Sequence, residues 1–386
     1  MNPRVLPVAA LLAGIAACAY FLLSPDRSPH GANAHGDSQV TTEASASQSA
    51  GAVAAKSAAG KLNTTDGEKS HLNWKRFTAM MSGTDGTGEA MPRPTPEDIS
   101  RFLAKHGETA VNLVAAFETT RDRRLLERAL ALFPNSPIVL MAAIESAPAS
   151  DTPKPGEAYQ PDPQRVALIE RFKAADPNNP LPWLFSAQEL FKAKQTADAI
   201  ADVRAALERP AFYTYANERT DSRQQLYEDL GLHPVEASLL AMFGLTLPHT
   251  SAAMQASRSL MESQKSATDS GDTAAADDAL RLTYSLGRTF ATPEASRTLV
   301  GQLVGFAMES RALKALPADS QPGWLTVNPA QRLAEIDRQK QSVREIASGL
   351  DWVIESQNEA VLSGYILRMR GEGEAAAYEW LKAQKK

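Results

Sequence analysis

Residues 176–210 read DPNNPLPWLFSAQELFKAKQTADAIADVRAALERP, and the spacing within this stretch decides the fold. Asp176-Pro177-Asn178-Asn179 is a turn sequence. Trp183, Ala187 and Leu190 follow at steps of four and three. Ala199, Val203 and Ala206 repeat those steps further on, which places them on one face of a second helix. The stretch therefore predicts two helices joined by a turn. The chain around it, about 95–386, is rich in Ala, Leu, Glu, Gln and Arg, which form helices well. It has no convincing run of alternating β-branched residues. The expected fold class is all-α, a stack of helical hairpins with additional C-terminal helices.

The same residues resemble one unit of a tetratricopeptide repeat. Trp183 stands at that family's Trp position and Ala187 at its small position. Leu190 stands where Tyr is common, and Ala199, Val203 and Ala206 match the inner face of the second helix. Two residues depart from the pattern: Ser186 replaces the usual Leu, and Pro210 comes one residue early. Upstream, Leu126, Ala129 and Pro134 keep the second-helix spacing, and Phe133-Pro134-Asn135-Ser136 resembles the same turn. Pro134 and Pro177 are 43 residues apart, about nine more than the ~34-residue period. The Pro-rich PASDTPKPGEAYQPDP at 148–163 accounts for the excess as a loop. Three helix pairs are expected, near 108–134, 137–176 and 180–209. About three are needed, because one pair cannot bury its own apolar face. The resemblance implies a solenoid whose concave side is lined by first helices and holds a polypeptide. It would place Leu184, Gln188, Phe191 and Lys192 on that side.

The N-terminus implies a location. Residues 5–23, VLPVAALLAGIAACAYFLL, are apolar or small throughout. At ~1.5 Å per residue such a run just crosses a ~30 Å hydrocarbon core. Arg4 and the terminal amine precede it, while Asp26 and Arg27 cancel after it, which directs the rest of the chain out of the cytoplasm. The only cysteine, Cys18, follows Ile15-Ala16-Ala17, which resembles the lipobox of bacterial lipoproteins and makes Cys18 a lipidation candidate. Ala17-Cys18-Ala19 also fits ordinary signal cleavage, and the apolar residues after Cys18 fit an uncleaved transmembrane anchor. All three readings place the body in the periplasm or cell envelope. The body lacks cysteine, so it must be stable without disulfides.

Residues 24–94 change character, with an Ala/Ser/Gly-rich stretch EASASQSAGAVAAKSAAGKL and balanced charge. They cannot bury enough surface to order themselves and read as a disordered tether. Asn63-Thr64-Thr65 is a glycosylation sequon within it. The exception is His71–Met81, HLNWKRFTAMM, which reads either as a docking or membrane-surface peptide or as a short helix packed on the body. The repeats occupy 95–215 and a C-terminal all-helical region 216–386. Helix starts are punctuated at Thr95-Pro96-Glu97, Thr292-Pro293-Glu294 and Asn328-Pro329, and Gly107 reads as a helix end. Helices are expected near 219–230, 234–243, 250–266, 273–290, 293–315, 329–356, 358–369 and 372–384. Gly301 and Gly305, in an almost wholly apolar stretch, predict close helix packing in the core. Leu333, Ile336, Val343, Ala347, Leu350 and Ile354 make a stripe that suits a capping helix or, less readily, a coiled-coil dimer.

No motif implies chemistry. Three of the six histidines, His30, His35 and His71, lie in the tether, and His106, His233 and His249 are not paired at metal-ligand spacing. There is no HExxH, CxxC, GxSxG, SxxK or phosphate-loop pattern, so neither metal nor cofactor is implied. Removing Arg4 and the neutral tether from the chain's net charge of −5 leaves the body near −6, which argues against nucleic acid. The cluster Arg209, Phe212, Tyr213 and Tyr215 has the residue types of binding hot spots, or else seals the repeats against the second half. The sequence thus leads to a membrane-tethered, non-catalytic scaffold that binds a protein or peptide. A structural subunit of an envelope or secretion assembly and a helical wall-active enzyme are the alternatives.

Overall fold

The computed structural model describes residues 72–74, 77, 93–147, 159–209, 212–243, 247–292, 298–348 and 351–384. The apolar run 5–23 with Cys18, nearly all of the tether, the loop 148–158 and Pro293-Glu294 lie outside them. Every regular element described is a helix. Among the described residues no helix is long and apolar enough to cross a membrane.

Helix α1 (Pro96–His106) starts and stops where its sequence says. Thr95 Oγ1 accepts from Asp98 N at 3.2 Å, and Asp98 accepts in return from Thr95 N at 2.9 Å. Gly107 ends the helix at φ 84°, a conformation that a side chain would strain.

Three hairpins follow. They are α2 (Ala110–Thr120) with α3 (Arg123–Leu132), α4 (Pro137–Ser146) with α5 (Pro163–Ala175), and α6 (Leu181–Lys192) with α7 (Thr196–Leu207). The tight turns between α2 and α3 and between α6 and α7 each use a left-handed residue, Arg121 at φ 62° and Lys194 at φ 60°. The cores are continuous from unit to unit. Leu113, Leu126, Val139 and Ala142 pack together, as do Met141, Ile144, Phe172, Leu184 and Val203.

The second half is a further run of hairpins. It comprises α8 (Ala216–Asp229), α9 (Pro234–Phe243), α10 (Pro248–Asp269), α11 (Thr273–Ala291), α12 (Leu299–Lys314), α13 (Pro329–Ser348), α14 (Asp351–Ser356), α15 (Glu359–Glu372) and α16 (Glu374–Gln384). The described start of α12 is capped by Thr298, whose hydroxyl accepts from Gly301 N at 3.1 Å. Gly305 does mark a close crossing, but its partner is Gly287 on α11 rather than Gly301. A Cβ on Gly305 would lie 2.7 Å from Gly287 O, and one on Gly287 would lie 2.6 Å from Glu309 N. The stripe on α13 is used within the chain, since Ile336 and Val343 are buried with Phe306, Leu313 and Leu325. Glu309 of α12 receives a two-pronged Arg332 at 2.8 and 3.0 Å, with both side chains buried. Burial pushes the Glu309 carboxyl up and Arg332 opposes it.

Residues 72–74 and 77, upstream of α1, are seated on the body. Phe77 is fully buried and Leu72 nearly so, within a cluster formed by α9, α14, α15 and α16. Of the two readings of His71–Met81, packing on the body describes these residues.

Candidate functional site

The first helices α2, α4 and α6 form one face of the three hairpins, and the chain covers that face itself. Helix α8 lies on α2, and α10 lies on α6. The physical reason is composition. Helix α4, PIVLMAAIES, is buried at seven successive residues from Ile138 to Ile144, and α10 brings Ala252, Ala253, Met254, Ala256 and Leu260 into the same core. An apolar face of that size is covered rather than left to water.

This places the sequence-derived groove residues differently from the resemblance. Leu184 is fully buried in the shared core and offers nothing to a partner. The Gln188 side-chain amide donates to Gln255 of α10. Phe191 is half-buried against the same core. Lys192 alone stands at the surface, over the ring of Tyr159 and 2.7 Å from Glu189. Burial raises the Glu189 carboxyl, but Lys192, Tyr159 and Arg165 outweigh it and hold it below its usual range.

The aromatic cluster is divided in the same way. Phe212 packs on Phe290 of α11 at a centroid distance of 4.6 Å with tilted rings and approaches His249 at 6.5 Å, joining the two halves. Tyr215 is half-buried on Phe172, and its hydroxyl donates to Asp176, in the turn between α5 and α6. Burial and that acid both push its phenol well above the usual range. Asn179 completes the tie, donating to Asp176 at 3.0 Å and to the Tyr213 carbonyl at 2.7 Å. Arg209 lies 4.0 Å over the Trp183 ring and donates to the Pro177 carbonyl at 2.9 Å. Lys173 lies 4.4 Å from the same ring. Tyr213 remains 46% exposed, so its ring is the part of the cluster open to another molecule. Most of the cluster seals the fold; Tyr213 and the outer side of Arg209 are what it leaves outside.

The residues that sequence reasoning missed lie on the seam between the halves. Arg219 of α8 is 2% exposed and donates to Glu118 of α2, with Glu145 of α4 at 3.5 Å. Burial works against the Arg219 charge, but Glu145 and Glu118 outweigh it. These three side chains, with Phe117, Arg121, Ala142 and Ser146, line a small pocket of about 50 Å³. Ser222 donates to Asn112 at 2.7 Å one turn along. His249 is buried beside Phe290, at a centroid distance of 5.7 Å with nearly parallel rings. Burial first, and the Arg219 charge second, depress it to about 4, so it is neutral at physiological pH. One clue was available: Glu118 ends the apolar run Val114-Ala115-Ala116-Phe117. Nothing local named Arg219 as its partner, 101 residues away.

Chemically, two carboxylates that share one buried arginine make a positional tie. Among the described residues no group of His, Cys, Asp or Glu is arranged to hold a metal. Cys18 lies outside the described residues. Comparison of the chain with protein-family models, with curated proteins and with solved structures finds no match.

Proposed function

We propose that this chain is a membrane-tethered helical scaffold outside the cytoplasm that holds a protein or peptide and carries out no chemistry. The supporting observation is the stack of hairpins with its first-helix face filled by α8 and α10. Such a body is a rigid block, and its partner binds an outer surface rather than a groove. Tyr213 and Arg209 are the anchors of choice, being an exposed aromatic and an arginine held at one rim. In-cell crosslinking followed by mass spectrometry tests the reading. A short partner list is expected, lost in a Tyr213→Ala/Arg209→Ala variant whose circular dichroism is unchanged. No partner above background would end it.

A structural subunit of an envelope assembly is the second reading, favoured by the same filled face. A permanent complex needs no open groove, only broad outer contact. Detergent extraction and native mass spectrometry separate the two: a defined large complex supports the subunit, a free monomer the scaffold.

A further inference from the structure

We infer that residues 72–74 and 77 act as a latch, moving the point at which the tether holds the body from α1 to the C-terminal unit. Covalently, the tether enters the body at α1. Physically, it is first gripped elsewhere. Phe77 is fully buried, and Leu72 is 5% exposed, in a groove walled by Val235 and Leu239 of α9, Val353 of α14, and Leu362 and Leu381 of α15 and α16. Trp74 meets Phe77 edge to face at 5.4 Å, and Phe77 N donates to Asn73 O at 2.8 Å, so one helical turn presents both rings. Leu72 N donates to Glu359 at 3.2 Å. Among the described residues, this cluster contains no side chain from α2–α7.

Burying a Leu and a Phe contributes enough to hold a short segment that is already part of the same chain, because its effective concentration is high. The rest of the groove is already a packed core: a Cβ on Gly364 would lie 2.5 Å from the Trp380 ring, so α15 and α16 are closely fitted behind the latch. The occupant is the chain's own segment, and the groove fits it through two rings and an aliphatic residue.

The inference rests on the reading of residues 24–94 as a tether, and its consequence is orientation. The C-terminal unit becomes the anchored side, while the rim carrying Tyr213 and Arg209 belongs to the hairpins held through other cores.

The absence of cysteine from the body permits a clean test. The full chain carrying Cys18→Ser receives Asn73→Cys, exposed beside the buried Leu72, and Glu359→Cys, and is treated with a short thiol crosslinker. An intramolecular crosslink is expected, dropping at least about tenfold when Phe77→Asp is added, because an unpaired carboxylate is costly in that groove. Phe77→Ala, milder, should give an intermediate yield with unchanged circular dichroism. No crosslink in the parent pair overturns the latch, as does a yield indifferent to both Phe77 variants. A crosslinked dimer instead assigns the groove to a second copy and also overturns it. Fractionating the unsubstituted chain, with Cys18 intact, into membrane and soluble material reports separately on the tether.

Discussion

The hairpins α2–α7 and the helices α8–α16 solve the same packing problem with different means. The first group uses short helices of 10 to 13 residues whose apolar positions recur at fixed steps. The second includes longer ones, 22 residues in α10 and 19 in α11; α11 crosses α12 through paired glycines, and α8 and α10 close over the first group. Within each group apolar side chains make most of the core, and each also holds a largely buried ion pair, Arg165 with Glu189 in the first and Arg332 with Glu309 in the second. Between them the contacts are mixed: Phe212 on Phe290, but also Arg219 to Glu118, Ser222 to Asn112 and Gln188 to Gln255. Apolar burial is non-directional and would permit many ways of docking one half on the other. Buried polar partners permit few, because each group left unpaired costs the desolvation of that group.

If the polar seam fixes how the halves dock, breaking it should have the largest effect. Arg219→Met removes the cation beside the buried Glu118 and the half-buried Glu145 and should destabilise the fold by about 4 kcal/mol. Replacing Glu118, Glu145 and Arg219 together by Leu, Leu and Met should recover most of that loss. Urea titration of the single and triple variants measures both, and an unstable triple variant would show that the ions stabilise more than they specify.

The crossing of α11 and α12 probes the second group alone. Gly305→Ala places a methyl against backbone that cannot move aside, and a loss of about 3 kcal/mol is expected by thermal or urea unfolding. Gly301→Ala at the other end of that motif should cost less, since the close partner, Gly287, sits opposite Gly305.

The seam also carries a pH signature. His249 takes up a proton near pH 6.5 when unfolded but only near pH 4 when folded, so the unfolded state binds more protons between those values. Stability should therefore be flat above about pH 6.5 and fall as pH drops toward 4, by about 3 kcal/mol in all. Urea midpoints across that range should show the slope in the parent and a shallower one in His249→Phe. Equal slopes would assign the acid sensitivity to another group.

The smallest expected effect lies far from the seam. Thr95→Ala removes the capping box of α1 and should cost about 1 kcal/mol without altering the docking of the halves. Unchanged crosslinking between positions 73 and 359 in that variant would show that α1 and the latch hold the chain independently.

Much of the architecture was readable before any coordinates. The steps Ala199, Val203, Ala206 bury one face of α7, and all three side chains are buried. The caps at Thr95, Gly107 and Asn328 are where local chemistry puts them. These features are short-range, so a few neighbouring residues specify them. The candidate site was far less readable. Leu184 and Gln188 carry the right spacing for an inner face, but spacing does not say whether that face meets water or α10. Phe212, Tyr213 and Tyr215 are three similar side chains in one loop, yet one is packed between the halves, one exposed and one tied to Asp176.

By itself, the sequence determined that this chain folds as helical hairpins, where several of those helices begin and end, and that the body contains no cysteine to form a disulfide. Helical periodicity, capping residues and cysteine content are local properties, and local energies suffice for them. Tertiary packing alone selected which face is covered, which charges are buried together, and where the segment around Phe77 is seated. Each of those pairs residues far apart in the chain, 101 positions for Arg219 and Glu118 and 287 for Leu72 and Glu359. Their energies come from desolvation and fit, which exist only once both partners are in place.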